Sequence, residues 1–138
     1  MKRLLAAAAA LLLCLNILPT AHGIGTSAGS AILMEAESGR VLYEQDADRP
    51  RLIASVTKLM TALVALESGH PLEEKVTVRE EDTRTEGSSL YLRSGEELRL
   101  ETLLYGLLLQ SGNDAALAVA RHCGGTVENF VAEMNRRA

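Results

Sequence analysis

Residues 53–71 read "IASVTKLMTALVALESGHP", and how this stretch folds decides how the chain around it is read. Its apolar residues fall at helical spacing, and Gly69 and Pro71 stand where a helix stops. The sequence therefore predicts a helix from about Ser55 to Glu67. Between Leu52 and Leu66 the only charged side chain is Lys58. Lysine is almost never fully buried without a partner, so its place in the most apolar helix needs a reason. Ser55 lies three residues before it, and positions i and i+3 share a helix face. A serine hydroxyl is a poor nucleophile until a base removes its proton. Lysines held in apolar surroundings give up their charge readily and serve as such bases. Ser55-Val56-Thr57-Lys58 thus reads as a nucleophile and its base. The competing reading makes Ser55 a helix N-cap and lets Lys58 extend its amine to solvent.

A second polar interruption, "QSGND" at 110–114, divides two apolar helical runs, Leu103–Leu109 and Ala115–Ala120. Burial on both sides would pin the connection. From it Ser111 could relay a proton and Asn113 could orient a substrate amide. The alternative is structural, with Asn113 capping the following helix and Asp114 complementing its dipole.

Working outward, Ala31–Met34 and Val41–Tyr43 flank Glu37-Ser38-Gly39-Arg40, a β-hairpin pattern. Pro50 breaks the chain ahead of the lysine helix. Residues 72–100 are polar and irregular, with strand-like pieces at Lys75–Arg79 and Leu90–Arg93 and turns at Gly87 and Ser94-Gly95. Helices are expected over Leu100–Leu109, Asn113–His122 and Val127–Arg137, the last capped by Thr126. Two or three short strands among four helices give an α+β class (α/β in the broad sense). A hairpin is marginal without further strands or a covering helix, so the chain reads as unfinished.

The N-terminus is a separate matter. Met1-Lys2-Arg3, the apolar run Leu4–Leu15, Pro19 and Ala21-His22-Gly23 form the pattern of a secretory signal peptide over residues 1–23. The domain proper is then 24–138. Removing the signal takes two basic residues and no acid, leaving a net charge of −6. With no basic cluster and few aromatics, a nucleic-acid surface is excluded. One cysteine, Cys123, remains, so no internal disulfide forms; it reads as a small buried hydrophobe. Neither His70 nor His122 has a partner at metal-ligand spacing along the chain, and no metal or other cofactor is expected.

Ser-x-x-Lys followed by Ser-x-Asn, 56 residues apart, is the pairing found in penicillin-binding proteins and class A β-lactamases. The segments "SGRVLYEQDADRPRLIASVTKLMTALVALE" and "GSSLYLRSGEELRLETLLYGLLLQSGNDAALAVARHCGG" resemble the serine-type D-alanyl-D-alanine carboxypeptidases, the low-molecular-mass penicillin-binding proteins. The resemblance spans about residues 29–138. Gly112, where class A β-lactamases usually carry Asp, points to the carboxypeptidase branch. The resemblance implies a β-lactamase/transpeptidase-like fold, an antiparallel sheet flanked by helices with a central helical cluster.

It further implies that Ser55 is acylated by a peptidoglycan stem peptide ending in D-Ala-D-Ala. Lys58 would be the base, Ser111 would pass the proton toward the departing D-alanine, and Asn113 would hold the substrate backbone. β-Lactams would be covalent inhibitors, and the site would lie outside the cytoplasm, in the cell wall or periplasm. The family's third motif, Lys-Thr-Gly or a variant on a later strand, does not occur in these residues. The chain is therefore expected to be an N-terminal fragment, inactive and poorly folded alone, with any membrane association carried by a missing C-terminal region. Two other readings remain open: a class A-like serine β-lactamase, and a catalytically silent cell-wall binding protein.

Overall fold

A short continuous apolar run makes the first element of the computed structural model, which describes residues 25–138. The expected signal segment lies outside the described residues. Strands β1 (Ala31–Met34) and β2 (Val41–Gln45) pair antiparallel, with Ala31 opposite Gln45 and Leu33 opposite Tyr43, and the register shifts between Leu33 and Met34. The turn is organised by Glu35. Its carboxylate accepts from the N–H groups of Glu37 at 3.0 Å and Ser38 at 2.7 Å, and also from the Ser38 hydroxyl. Gly39, at φ +70°, supplies the left-handed residue that closes it. Those hydrogen bonds, the Ser38 hydroxyl foremost, hold the Glu35 carboxyl below its usual range. Arg51 ties the same unit together, donating to Ser30 Oγ at 2.5 Å and to the Gly29 carbonyl at 2.7 Å. The hairpin agrees with the sequence pattern.

Residues 52–138 form a second unit. Its elements are α1 (Thr57–Glu67), β3 (Lys75–Thr77), β4 (Glu97–Arg99), α2 (Leu100–Leu109), α3 (Asn113–Gly124) and α4 (Val127–Arg137). Strands β3 and β4 pair antiparallel around Val76 opposite Leu98. Leu100, Leu103, Leu104 and Leu107 are the buried face of α2 at helical spacing. They meet the small residues Ala115, Ala118 and Val119 of α3, together with Ala65 of α1 and Phe130 of α4. Small side chains on α3 let three helices approach it closely, which makes α3 the centre of the cluster. Thr126 caps α4 as expected, its hydroxyl accepting from the Asn129 N–H at 3.1 Å.

A buried ion pair joins α3 to the segment after β3. Arg121 reaches Asp82 with Nε at 3.0 Å and a terminal nitrogen at 2.5 Å, and that nitrogen also donates to the Thr77 carbonyl at 2.9 Å. Asp82 is 1% exposed and also accepts from the Arg79 N–H. Among the described residues no helix is long and apolar enough to cross a membrane.

Two local expectations fail. The α-helix begins at Thr57 rather than Ser55; Ala54–Val56 is one tight 3₁₀ turn, entered through Ala54 at φ +48°. Leu90–Arg93 is not a strand: the N–H groups of Leu90 and Leu92 bond to the Asp114 carboxylate instead of a neighbouring strand, and Tyr91 between them sits at φ +58°. The strand that does pair with β3, Glu97–Arg99, turns a single apolar residue inward and carries no alternation long enough to see.

Candidate active site

Two backbone features bring the sequence-predicted residues together. The 3₁₀ turn places Ser55 on the surface just ahead of α1, and Lys58 follows in the first turn of that helix. The connection between α2 and α3 holds Ser111 at φ +56°. This left-handed conformation is rare for a side chain other than Gly, Asn or Asp. It presents both the carbonyl and the hydroxyl of Ser111 to the same lysine. Lys58 Nζ donates to the Ser111 carbonyl at 2.5 Å, to Ser111 Oγ at 2.9 Å and to Asn113 Oδ1 at 2.7 Å. Ser111 Oγ in turn lies 2.9 Å from Ser55 Oγ.

Ser55, Lys58, Ser111 and Asn113 thus form one hydrogen-bonded set. It opens into a cleft of about 330 Å³ lined by Ala54, Ser55, Thr57, Lys58, Thr61, Asn113 and Ala116. The arrangement differs from the expected one in two respects. No hydrogen bond joins Ser55 directly to Lys58 among the described residues. Ser111 Oγ bridges them. The lysine amine also sits among three oxygen acceptors rather than in apolar surroundings, and its side chain is half-buried.

The cap readings are likewise resolved. Gly112 is the N-cap of α3 and makes no side-chain cap hydrogen bond; Asn113 is the first helical residue. Its side chain spans the cleft wall, accepting from Lys58 and donating through Nδ2 to the Glu86 carbonyl at 2.6 Å. Its backbone N–H donates to the Ser88 carbonyl at 2.8 Å. Asn113 therefore couples the lysine to the 86–92 segment.

Asp114, assigned from sequence only to the helix dipole, has the larger structural role. It is 1% exposed. Its carboxylate accepts from the N–H of Leu90 at 3.0 Å, the N–H of Leu92 at 3.0 Å, the Ser89 hydroxyl at 2.6 Å and the N–H of Ala115 at 2.9 Å. Burial pushes this carboxyl up, but the donors of Leu90, Ser89, Leu92 and Ala115 together outweigh it and leave the group below its ordinary value. The Leu90 side chain is keyed into a slot between two glycines. A Cβ at Gly106 would stand 2.2 Å from Leu90 Cδ1, and one at Gly112 would stand 2.9 Å from Leu90 Cγ and 3.0 Å from Asp114 Oδ1. An aspartate next to a serine-glycine-asparagine run gave a sequence signal for a cap, and nothing for a clasp on residues more than twenty positions earlier.

The histidines also depart from expectation. His70 and Glu74, four residues apart in the connection between α1 and β3, converge in space with His122 of α3. His122, 48 residues beyond Glu74, is the partner that spacing along the chain does not show.

The family model for D-alanyl-D-alanine carboxypeptidases, peptidase S11, matches residues 19–138. The chain belongs to this carboxypeptidase family. It is 34% identical over its whole length to the D-alanyl-D-alanine carboxypeptidase DacF of Bacillus subtilis, of which the match covers 39%. It is 41% identical over 118 residues to the D-alanyl-D-alanine carboxypeptidase DacA of Escherichia coli, covering 78% of this chain and 29% of that one. The crystal structure of penicillin binding protein 6B from Escherichia coli superposes with a TM-score of 0.77 at 31% identity, over 89% of this chain and 42% of that one. The chain spans well under half the length of these relatives. The fold is that of the penicillin-binding carboxypeptidases, in agreement with the α+β expectation. Within this carboxypeptidase-family chain, the glycine of Ser111-Gly112-Asn113 has a local cause: Leu90 occupies the space that any side chain at 112 would need.

Proposed function

We propose that the protein carrying this chain is an extracytoplasmic serine D,D-carboxypeptidase that removes the terminal D-alanine from peptidoglycan stem peptides, with Ser55 as nucleophile. The observation that carries the reading is the bridge from Ser55 Oγ to Ser111 Oγ to Lys58 Nζ, 2.9 Å at each step. In the proposed step Ser55 Oγ attacks the carbonyl between the two D-alanines. Its proton passes to Ser111 Oγ as the Ser111 proton passes to the neutral form of Lys58. The C–N bond then breaks, D-alanine leaves with a proton returned through the same bridge, and water hydrolyses the acyl ester on Ser55. Asn113, anchored on Glu86 and Lys58, offers its amide to the substrate backbone. β-Lactams would acylate the same serine and leave slowly. The names of the relatives, carboxypeptidases and penicillin-binding proteins, support this substrate class.

The test is labelling of the intact protein with a fluorescent penicillin, alongside D-alanine release from a stem-peptide analogue. Both activities are expected in the wild type and neither in Ser55→Ala. Rapid β-lactam turnover without D-alanine release would instead mark a β-lactamase. Reversible binding of stem peptide, unchanged by Ser55→Ala, would mark a silent binding protein.

We also infer that these 138 residues expressed alone do not acylate and fold poorly. Leu59 is 64% and Leu109 75% exposed, and Ile32, Leu33 and Leu42 of the hairpin are exposed too. So much uncovered apolar surface favours association over a unique fold. Stoichiometric penicillin labelling of the isolated polypeptide, with native-like circular dichroism, would overturn this.

A further inference from the structure

Helices α1 and α3 run side by side in the same direction. Lys58 in the first turn of α1 meets Asn113 in the first turn of α3, and the chain just past the end of α1 meets the last turn of α3. At that second end lie His70, Glu74 and His122. His70 Nδ1 is 2.8 Å from Glu74 Oε2, His122 Nε2 is 3.5 Å from the same oxygen, and the two ring centroids are 4.7 Å apart. All three ligand-type atoms lie within 4.8 Å of one another.

Each residue is fixed by its own backbone. His70 follows the end of α1, where Ser68 Oγ donates to the Ala65 carbonyl at 2.6 Å and Gly69 turns the chain at φ +83°. The backbone of Glu74 is held on both sides, its N–H donating to the Pro71 carbonyl at 3.0 Å and its carbonyl accepting from the Leu100 N–H at 2.9 Å. His122 is part of α3. With one short connection and one helix each held by backbone hydrogen bonds, the site is preorganised.

One atom of the cluster is left without a proper partner. His122 Nε2 is fully buried and makes no hydrogen bond; its 3.5 Å approach to Glu74 lacks hydrogen-bond geometry. A buried polar atom without a partner is costly and calls for an explanation. If the nitrogen carries a lone pair, it faces a carboxylate oxygen, and the two repel. A cation between them would satisfy both. The surrounding field has the right sign as well, since the C-terminal ends of two parallel helices each present partial negative charge.

We propose that His70 Nδ1, Glu74 Oε2 and His122 Nε2 bind one divalent transition-metal ion of the zinc class, with water completing its shell. Two imidazole nitrogens and one carboxylate oxygen are an ordinary ligand set for zinc, at about 2.0–2.2 Å from the metal. A tetrahedron of that size spaces its ligand atoms by about 3.4 Å. The two nitrogen–oxygen pairs at 2.8 and 3.5 Å bracket the required separation, and the two ring nitrogens, within 4.8 Å of each other, close on the ion by rotation of the rings. The site lies about 14 Å along α3 from Asn113, at 1.5 Å per residue. The metal therefore takes no part in chemistry at Ser55. It clasps the ends of α1 and α3 remote from the cleft and holds the two helices in register. The proposal does not depend on the proposed carboxypeptidase activity.

The experiment uses the intact, untagged protein, stripped with chelator and titrated calorimetrically with ZnCl₂, with CoCl₂ as an optical probe. One equivalent of zinc is expected to bind and raise Tm, and cobalt is expected to give the intense visible bands of a four-coordinate site. His70→Gln and Glu74→Gln change half-exposed side chains and should fold as the wild type does, which circular dichroism checks. Each should weaken binding by about a hundredfold or more and abolish the zinc-dependent rise in Tm. Failure of the wild type to bind either metal overturns the proposal. So does binding that both variants leave intact, which would mark adventitious surface sites.

Discussion

Replacing Asp114 tests how the cleft is held, because this carboxylate touches neither Ser55 nor Lys58. In Asp114→Ala the N–H groups of Leu90 and Leu92 and the Ser89 hydroxyl lose a charged acceptor. Hydrogen bonds to charged groups contribute about 1.5–3 kcal/mol each. The 89–92 segment is partly open to water, which can replace some of them, so the low end of that range applies. Two backbone donors then give a loss of about 3 kcal/mol. Asp114→Asn keeps one acceptor oxygen but turns an NH₂ group toward remaining donors, and should lose about half as much.

The effect reaches the cleft through Asn113, whose N–H and Nδ2 are tied to Ser88 and Glu86 in the same segment. Freed from those anchors, Asn113 should lose its orientation, and acylation by a fluorescent penicillin should slow about 10- to 100-fold. The assays are urea unfolding and the second-order labelling rate of the intact protein. A pH series adds a sign. The Asp114 carboxyl stands below its ordinary 3.8 when folded, so its stabilisation is complete above that pH. It is lost as the pH falls through the folded value. The gap between wild type and Asp114→Asn should therefore be constant at neutral pH and shrink only below 3.8. Wild-type stability together with a wild-type labelling rate in Asp114→Ala would refute the reasoning.

Three further substitutions probe separate parts of the second unit. Arg121→Met strands the buried Asp82 carboxylate and should cost about 3–5 kcal/mol in urea unfolding, much of it recovered by adding Asp82→Leu. Gly106→Ala forces a methyl group against Leu90 and should cost about 1–3 kcal/mol; Leu90→Ala in the same chain should remove that clash, seen as a non-additive double-mutant cycle. Ser111→Ala deletes the bridging hydroxyl while leaving the fold intact by circular dichroism, and should lower the penicillin acylation rate about 10²-fold or more.

The helices were legible because their apolar spacing and their ends agree: Gly69 and Pro71 after α1, Thr126 before α4. The residues of the cleft were legible too, as two short patterns joined by chain order. What escaped was set by contacts between distant positions. Leu90 and Leu92 alternate as a strand would, yet a single carboxylate over twenty residues away takes their N–H groups. The direct serine–lysine pair expected from i, i+3 spacing gave way to a bridge, because Ser111 and Asn113, more than fifty residues away, take the lysine amine. His70 and His122 are 52 positions apart and meet only because α1 and α3 run parallel.

Ala54 and Ser111 both hold left-handed backbone without being glycine, one beside Ser55 and one at the hydroxyl bridge. That conformation costs an ordinary residue about 1–2 kcal/mol, more than the extra chain entropy a glycine brings to the unfolded state. Glycine at 54 should therefore raise the melting temperature, whereas at 111 the lost hydrogen bonds to Lys58 and Ser55 offset the gain. At 111 it would delete the hydroxyl, and at 54 it would free the turn that aims Ser55. Directed evolution scored on heat resistance alone would drift toward the change at 54, producing a hardier protein whose Ser55 is no longer aimed into the cleft.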